Sequence, residues 1–155
     1  MLKQIARSEH APEESFNAGR SKLNFQFGDA FLEEVRGEVV IDFGCGEGVQ
    51  SIELAKAGAG SLIGLDIREE QLERARIAAQ KAGVSGWCRF ASSTSIPADV
   101  VVSLDSFEHF EDPGAELGRM YALLKAGGIL VASCLVSPIG KPSVQRFSRG
   151  PTHLQ

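Results

Sequence analysis

The chain has 155 residues, 43% of them apolar and 23% charged, with a formal net charge of −4. These values suit one globular domain with a sizeable core and exclude an intrinsically disordered chain. Basic residues are scattered among acidic ones, so no stripe exists to neutralise a run of phosphates, and no nucleic-acid partner is expected.

No apolar run approaches the roughly 18 residues of a membrane span, and no membrane association is expected. The opening M-L-K-Q-I-A-R-S-E-H lacks the apolar centre of a secretory signal. Cys45, Cys88 and Cys134 are widely spaced and odd in number, which fits neither a disulfide framework nor a zinc site. No metal is expected, and the cytoplasm is the expected compartment.

In chain order, residues 1–36 read as an N-terminal helical or extended cover, with a helix over Asp29–Val35 ending at Gly37. The first clear strand is Val39–Phe43, whose β-branched start is typical of a buried parallel strand. A glycine-rich turn leads into a helix over Glu47–Ala57, with Ile52 and Ala55 expected inside and Gly58 and Gly60 as stops. The second strand is Ser61–Asp66. The helix Arg68–Ala82 follows, with Leu72, Ala75 and Ala79 as its packing stripe and Glu70–Arg74 as an exposed pair. A short third strand is expected near Trp87–Ala91 and a fourth over Asp99–Leu104. Residues 107–124 form a helical stretch broken at Pro113. Gly127 and Gly128 lead into a fifth strand, Ile129–Ser133, and the tail after Pro138 has no firm periodicity.

This alternation predicts an α/β fold with a parallel sheet and crossover helices. Ligands in such sheets bind beyond the carboxyl ends of the strands, here Asp42–Gly48, Asp66, Ala91–Ser93 and Asp105–His109. Gly44, Gly46 and Gly48 alternate in the first of these turns. Glycine permits unusual dihedrals and close ligand approach, so Asp42–Gly48 is expected to hold a nucleoside-containing cofactor. The dinucleotide pattern G-x-G-x-x-G is not met, because the third glycine comes one position early. Asp42 ends an apolar strand, where a carboxylate either orients turn amides or faces a cationic ligand group. Asp66, 18 residues beyond Gly48, is placed to accept hydrogen bonds from a ribose diol. Ile67 either packs on an adenine face or belongs to the core.

With these residues in place, the chain resembles the class I S-adenosylmethionine-dependent methyltransferases, most of all their small-molecule type. V-V-I-D-F-G-C-G-E-G matches the family's first motif and L-I-G-L-D-I its second. Ala98–Leu104 followed by D-S-F-E-H-F matches the fourth-strand region, and L-L-K-A-G-G-I-L-V-A-S, Leu123–Ser133, the fifth. The resemblance spans about residues 37–133, which it makes an S-adenosylmethionine-binding core. It implies a Rossmann-like three-layer sandwich with a mostly parallel central sheet. It also implies S-adenosylmethionine as cofactor, S-adenosylhomocysteine as product, and a small-molecule methyl acceptor.

By the same resemblance, Asp42, Gly44, Cys45, Gly46 and Gly48 surround the methionine portion and adjoining ribose. Asp66 holds the ribose hydroxyls and Ile67 the adenine, with Ser92 or Ser93 where the family often has an Asp for the adenine amino group. Backbone around Asp105 approaches the methyl centre. The family usually continues with two more strands and a helix, whereas only 22 residues follow Ser133. The expectation is therefore a sheet lacking part of its C-terminal strands. Residues 134–155 are expected as an extended strand or a disordered end, the latter leaving the fifth strand as an exposed edge; a truncated product, a compact variant and a domain completed by a second copy or a partner are the alternatives.

Methyl transfer is direct displacement, in which the protein aligns the reactants and removes a proton where one must leave. His109 is the candidate base, with a structural role in the E-H-F segment as its alternative. Asp105 and Glu108 are weaker candidates, and Cys45 reads as a small packing residue. Phe16, Phe25, Phe27 and Phe31 either cover the site or pack the core. Arg20 or Lys22 is a candidate for the cofactor carboxylate. A non-catalytic cofactor-binding domain and a nicotinamide-dependent oxidoreductase are the competing readings.

Overall fold

Buried runs of β-branched residues alternate with helices that bury one face, and the product is a single twisted sheet covered on both sides. The computed structural model describes residues 3–4, 22–135 and 142–150. Its elements are β1 (Lys3–Gln4), α1 (Lys22–Glu34), β2 (Val39–Phe43), α2 (Val49–Lys56), β3 (Ser61–Leu65), α3 (Glu69–Lys81), β4 (Cys88–Ala91), β5 (Ala98–Leu104), a 3₁₀ turn (Phe107–His109), α4 (Pro113–Ala122), β6 (Leu124–Leu135) and β7 (Pro142–Ser148). The sheet order is β1-β7-β6-β5-β2-β3-β4. Pairing is parallel from β6 through β4, and β7 is antiparallel to β6 and β1. The fold is thus the mostly parallel three-layer sandwich expected.

Strand β2 lies inside the sheet, paired with both β3 and β5. The chain winds outward from β2 to β4, then returns to β5 and winds the other way. Between β2 and β5 the winding reverses, and this is where a crevice opens at the strand ends.

Alternate residues of the strands serve opposite faces. Val40, Leu62, Val100 and Val102 join Phe31 of α1, Val35 just after it and Leu54 of α2 in one core cluster. Ile41, Ile63, Val101 and Leu130 join Met120 of α4 in another. Burying one such Leu or Ile side chain contributes about 1.5–3 kcal/mol, so the two clusters carry much of the fold's stability. The stripe Leu72, Ala75 and Ala79 of α3 is buried as expected, against Phe90 of β4. Gly64 makes room for that ring, since a Cβ at this position would lie 2.5 Å from Phe90. The Glu70–Arg74 pair forms at 2.5 Å.

The helices meet some expectations and refine others. In α2 the fully buried residues are Ser51 and Leu54. Ile52 and Ala55 are half-buried against the α3 cluster, because the helix is flanked on two sides rather than one. The helical stretch is broken before Pro113 as expected, with a 3₁₀ turn on one side and Pro113 as the first residue of α4 on the other. Asp112 caps α4 by accepting the Ala115 N–H at 3.0 Å, and proline fits the first helical position because its missing N–H has no partner to lose there. Helix α1 begins earlier than expected and is kinked at Gly28, whose φ is 74°.

On the C-terminal side the extended-strand alternative holds. The fifth predicted strand is not an exposed edge. Residues Ile129–Leu135 of β6 pair on their outer side with Pro142–Ser148 of β7. Arg146 of β7 also reaches back to Glu34 of α1 at 2.7 Å. No helix among the described residues is long and apolar enough to cross a membrane.

Candidate functional site

A cavity of about 990 Å³ opens at the carboxyl ends of β2, β3, β4 and β5. Its wall is built by four connections, and each carries residues singled out above: Gly44, Cys45 and Gly46; Asp66 and Ile67; Ser92 and Ser93; Asp105 and His109. Asp42 and Gly48 do not line it.

The glycine turn is held by its neighbours. The amides of Gly44 and Cys45 both donate to the Leu65 carbonyl, at 2.8 and 2.9 Å. Gly44, Gly46 and Gly48 all have positive φ, between 53° and 81°. At Gly44 a Cβ would meet the Ser106 hydroxyl oxygen at 2.5 Å, and at Gly48 it would meet Ala75 at 2.9 Å. At Gly46 a Cβ would meet nothing within 4 Å. The first and third glycines therefore allow the turn to pack, and the second leaves open space on the cavity side.

Asp42 is 2% exposed and lies behind the turn. It accepts the Ser51 hydroxyl at 2.6 Å, within the first turn of α2. Burial pushes its carboxyl up to about 6, against the lowering effect of the Ser51 hydrogen bonds, with Asp66 adding a further push upward. The bond ties the end of β2 to the start of α2, behind the turn.

Asp66 is 8% exposed at the cavity wall. Its Oδ2 accepts the Gly46 N–H at 3.0 Å, and its Oδ1 accepts the Arg68 N–H at 2.9 Å. The Arg68 guanidinium bridges both oxygens, Nε to Oδ1 at 3.1 Å and Nη2 to Oδ2 at 3.2 Å. Burial alone would raise this carboxyl, but the Arg68 contacts and the Gly46 amide outweigh it and hold the group below the usual range. Ile67 is 91% exposed, which rules out the core role considered for it.

On the far wall, Asp105 is the non-glycine residue with positive φ among the described residues, at 50°. Ser133, fully buried at the end of β6, is engaged with it twice. The Ser133 hydroxyl accepts the Asp105 N–H and donates to Asp105 Oδ1, both at 3.3 Å. Ser106 donates to the carbonyls of Gly44 at 3.3 Å and Leu104 at 3.1 Å. His109 ends the 3₁₀ turn, exposed at the cavity edge. The Cys45 thiol is buried, and burial raises its pKa, so it stays protonated and packs.

The aromatic cover is resolved in part. Phe27 and Phe31 stack against each other at 5.0 Å in the α1 core and do not line the cavity. Phe43 and Phe110 do line it. Phe16 and Arg20 lie outside the described residues, as do the side chains of Lys22 and Phe25.

Arg68, Ser51, Ser106 and Ser133 were not singled out from sequence. Arg68 could have been, since it stands two residues after Asp66 at the start of a helix. The three serines carry no local signal, because each finds its partner across a turn or a neighbouring strand.

A switch-point cavity walled by a triple-glycine turn and an acidic residue at the next strand end defines a nucleoside-cofactor α/β fold. Residues 34–141 match the model of a methyltransferase domain family, and the chain belongs to that family. A ubiquinone biosynthesis O-methyltransferase of Dinoroseobacter shibae is 34% identical over 105 residues, covering 64% of this chain and 42% of that protein. A ribosomal protein L11 methyltransferase of Edwardsiella ictaluri is 32% identical over 105 residues, covering 67% of this chain and 36% of that protein. The chain thus spans about two-fifths of the length of these curated relatives. An RNA methyltransferase from Salinibacter ruber, solved with S-adenosyl-L-homocysteine, superposes with a TM-score of 0.64 at 22% identity. That match covers 82% of this chain and 92% of that one, and it shows the shared fold.

Proposed function

We propose that this chain carries an S-adenosylmethionine-dependent methyltransferase activity toward a small-molecule acceptor, by direct methyl displacement. The observation that carries this reading is the bond between the Gly46 amide and the Asp66 carboxylate at the cavity wall. It fixes a glycine cradle and a diol-accepting carboxylate side by side, in a cavity within the volume range of nucleoside-sized ligands.

The donor fits the residues present. Gly44, Cys45 and Gly46 would border its amino-acid portion and ribose. Asp66 would take the ribose hydroxyls, Ile67 would cover the adenine, and Ser92 or Ser93 would meet the adenine edge. Asp42 and Gly48 would act from behind, by holding the start of α2 and its packing. Bound there, the donor supplies a methyl group on a positively charged sulfur.

The acceptor half would be the wall of Phe43, Leu104, Phe110 and Leu123 with Asp105 and His109 at its polar edge. The apolar side chains exclude water from the reacting atoms. Ser133 holds the Asp105 carboxylate in place, and His109 takes the proton from a hydroxyl or amine as the methyl group is accepted. An apolar pocket with few convergent polar groups, on a protein without a basic stripe, supports a small acceptor over a nucleic acid.

Isothermal titration calorimetry with S-adenosylhomocysteine and with NAD tests the cofactor reading. Binding of the former and not the latter is expected; the reverse would sink the proposal. Turnover over a panel of phenols and amines then separates a transferase from a domain that only binds the donor. Donor binding with no turnover anywhere in that panel would favour the latter.

A further inference from the structure

The Asp66 carboxylate has no room for another donor. A carboxylate offers about four lone-pair positions, two on each oxygen. Four N–H groups fill them here. Oδ1 takes the Arg68 amide at 2.9 Å and Nε at 3.1 Å, and Oδ2 takes the Gly46 amide at 3.0 Å and Arg68 Nη2 at 3.2 Å.

The four differ in how easily they leave. The Gly46 amide is fixed by the glycine turn, and the Arg68 amide by the extended residue that opens α3. The guanidinium is not fixed in this way. The Arg68 side chain is 62% exposed and ends a flexible stem, so it can turn into water without opening the core. It contributes one donor to each carboxylate oxygen. A ribose diol likewise has two hydroxyl donors on adjacent carbons, suited to the same two positions.

We propose that Arg68 is an internal occupant of the ribose site, and that a nucleoside cofactor binds by exchanging its diol for the Arg68 guanidinium on Asp66. This inference rests on the reading of Asp66 as the ribose-binding carboxylate. It makes Arg68 an affinity-determining residue that acts by competition. Paired with Asp66, it neutralises a carboxylate that is 8% exposed. In the bound protein its charge is released toward the acidic first turn of α3, Glu69 and Glu70. The exchange balances hydrogen bonds, two for two. Its cost is the separation of one partly exposed ion pair, which is modest and falls as salt screens the charges.

Removing the competitor should tighten binding, whereas removing a residue that merely supports the site should weaken it. The test is calorimetric titration of the full chain, wild type and Arg68→Ala, with S-adenosylhomocysteine and with its 2′,3′-dideoxy analogue. Arg68→Met, which keeps the apolar stem, serves as a second variant, and thermal melts check that both are folded. The expected result is binding roughly two- to fivefold tighter in both variants for the ribose ligand, the range an exposed ion pair supports. No gain is expected for the dideoxy ligand. Raising sodium chloride should narrow the difference between wild type and variant. Wild type that fails to bind S-adenosylhomocysteine would overturn the cofactor reading and this inference together. Wild type that binds, with folded variants of equal or weaker affinity, would overturn the role of Arg68 and leave the cofactor reading standing. An equal gain for the dideoxy ligand would also overturn the exchange.

Discussion

The Gly46 amide donates to Asp66 Oδ2 at 3.0 Å, joining the turn after β2 to the tip of β3. One carboxylate therefore serves both the shape of the turn and the cavity wall. Asp66→Ala should lower affinity for S-adenosylhomocysteine at least tenfold, which is about 1.4 kcal/mol or more. Calorimetry reads this directly, and unchanged affinity would remove Asp66 from the site. Asp66→Asn should fall between the two, because its single side-chain oxygen cannot take all the donors the carboxylate does.

Two glycines in the same turn should fail in different ways. Gly44→Ala places a Cβ 2.5 Å from the Ser106 hydroxyl oxygen at a φ of +81°, and should destabilise the fold by about 2–4 kcal/mol. Adding Ser106→Ala should recover part of that loss, leaving the backbone strain. Gly46→Ala meets open space at a φ of +53° and should cost only about 1 kcal/mol of stability. Its methyl group lies toward the cavity, so ligand affinity should fall instead. Urea denaturation paired with calorimetry on both variants distinguishes the two effects; equal stability losses would contradict the contrast.

Asp42 should give the protein a pH dependence of known sign. Its carboxyl is raised to about 6 in the fold by burial. A raised acid binds its proton more tightly when folded. Its contribution is complete below the unfolded pKa near 4, is lost as pH rises through 6, and is flat above that. Asp42→Asn resembles the protonated carboxyl and lacks this loss. Relative to wild type, the variant should therefore gain about 2–3 kcal/mol between pH 4 and pH 8. Denaturation curves at the two pH values measure the difference; a gain toward acid would reverse the assignment.

Strand β7 should be needed for a monomeric fold. Deleting residues 142–155 strips the seven-residue outer partner of β6 and leaves its outer edge unpaired, with β5 still on the other side. Such edges recruit other chains. Size-exclusion chromatography should show loss of monomer into larger species. A monomeric product with an unchanged melting temperature would show that β7 contributes little.

Legibility from sequence followed the range over which each residue finds its partner. Asp66 stood out because an acid closing an apolar strand is unusual, and its position alone marks the cavity wall. The glycine turn stood out because three alternating glycines mark unusual dihedrals. The stripe Leu72, Ala75 and Ala79 stood out by its period, and its burial follows from α3 lying on the sheet. Arg68 carries a weaker signal: its place two residues after Asp66 marks it as a neighbour, but only the fold shows its guanidinium turned back onto the carboxylate. Asp42 was visible as a costly buried acid, but its partner Ser51 is fixed only when α2 folds back over the strand. Strand β7 begins with proline and mixes polar with apolar residues. Its strand character comes from the edge of β6, which the tail's own composition does not reveal.

The reversal of winding between β2 and β5 also has an evolutionary consequence. The turns after β2, β3 and β4 make one wall of the cavity, and the stretch from Leu104 to Leu123 makes the opposite one. Each wall can drift without rebuilding the other, so a lineage can change what it accepts while conserving how it grips a cofactor. Ser106 and Phe110 are exceptions, since the Ser106 hydroxyl reaches across the seam to the Gly44 carbonyl and the Phe110 ring packs edge-on against Phe43 at 6.1 Å. A loop grafted from a relative after β5 should be tolerated when it brings a small hydroxyl residue to position 106, and should distort the glycine turn when it does not.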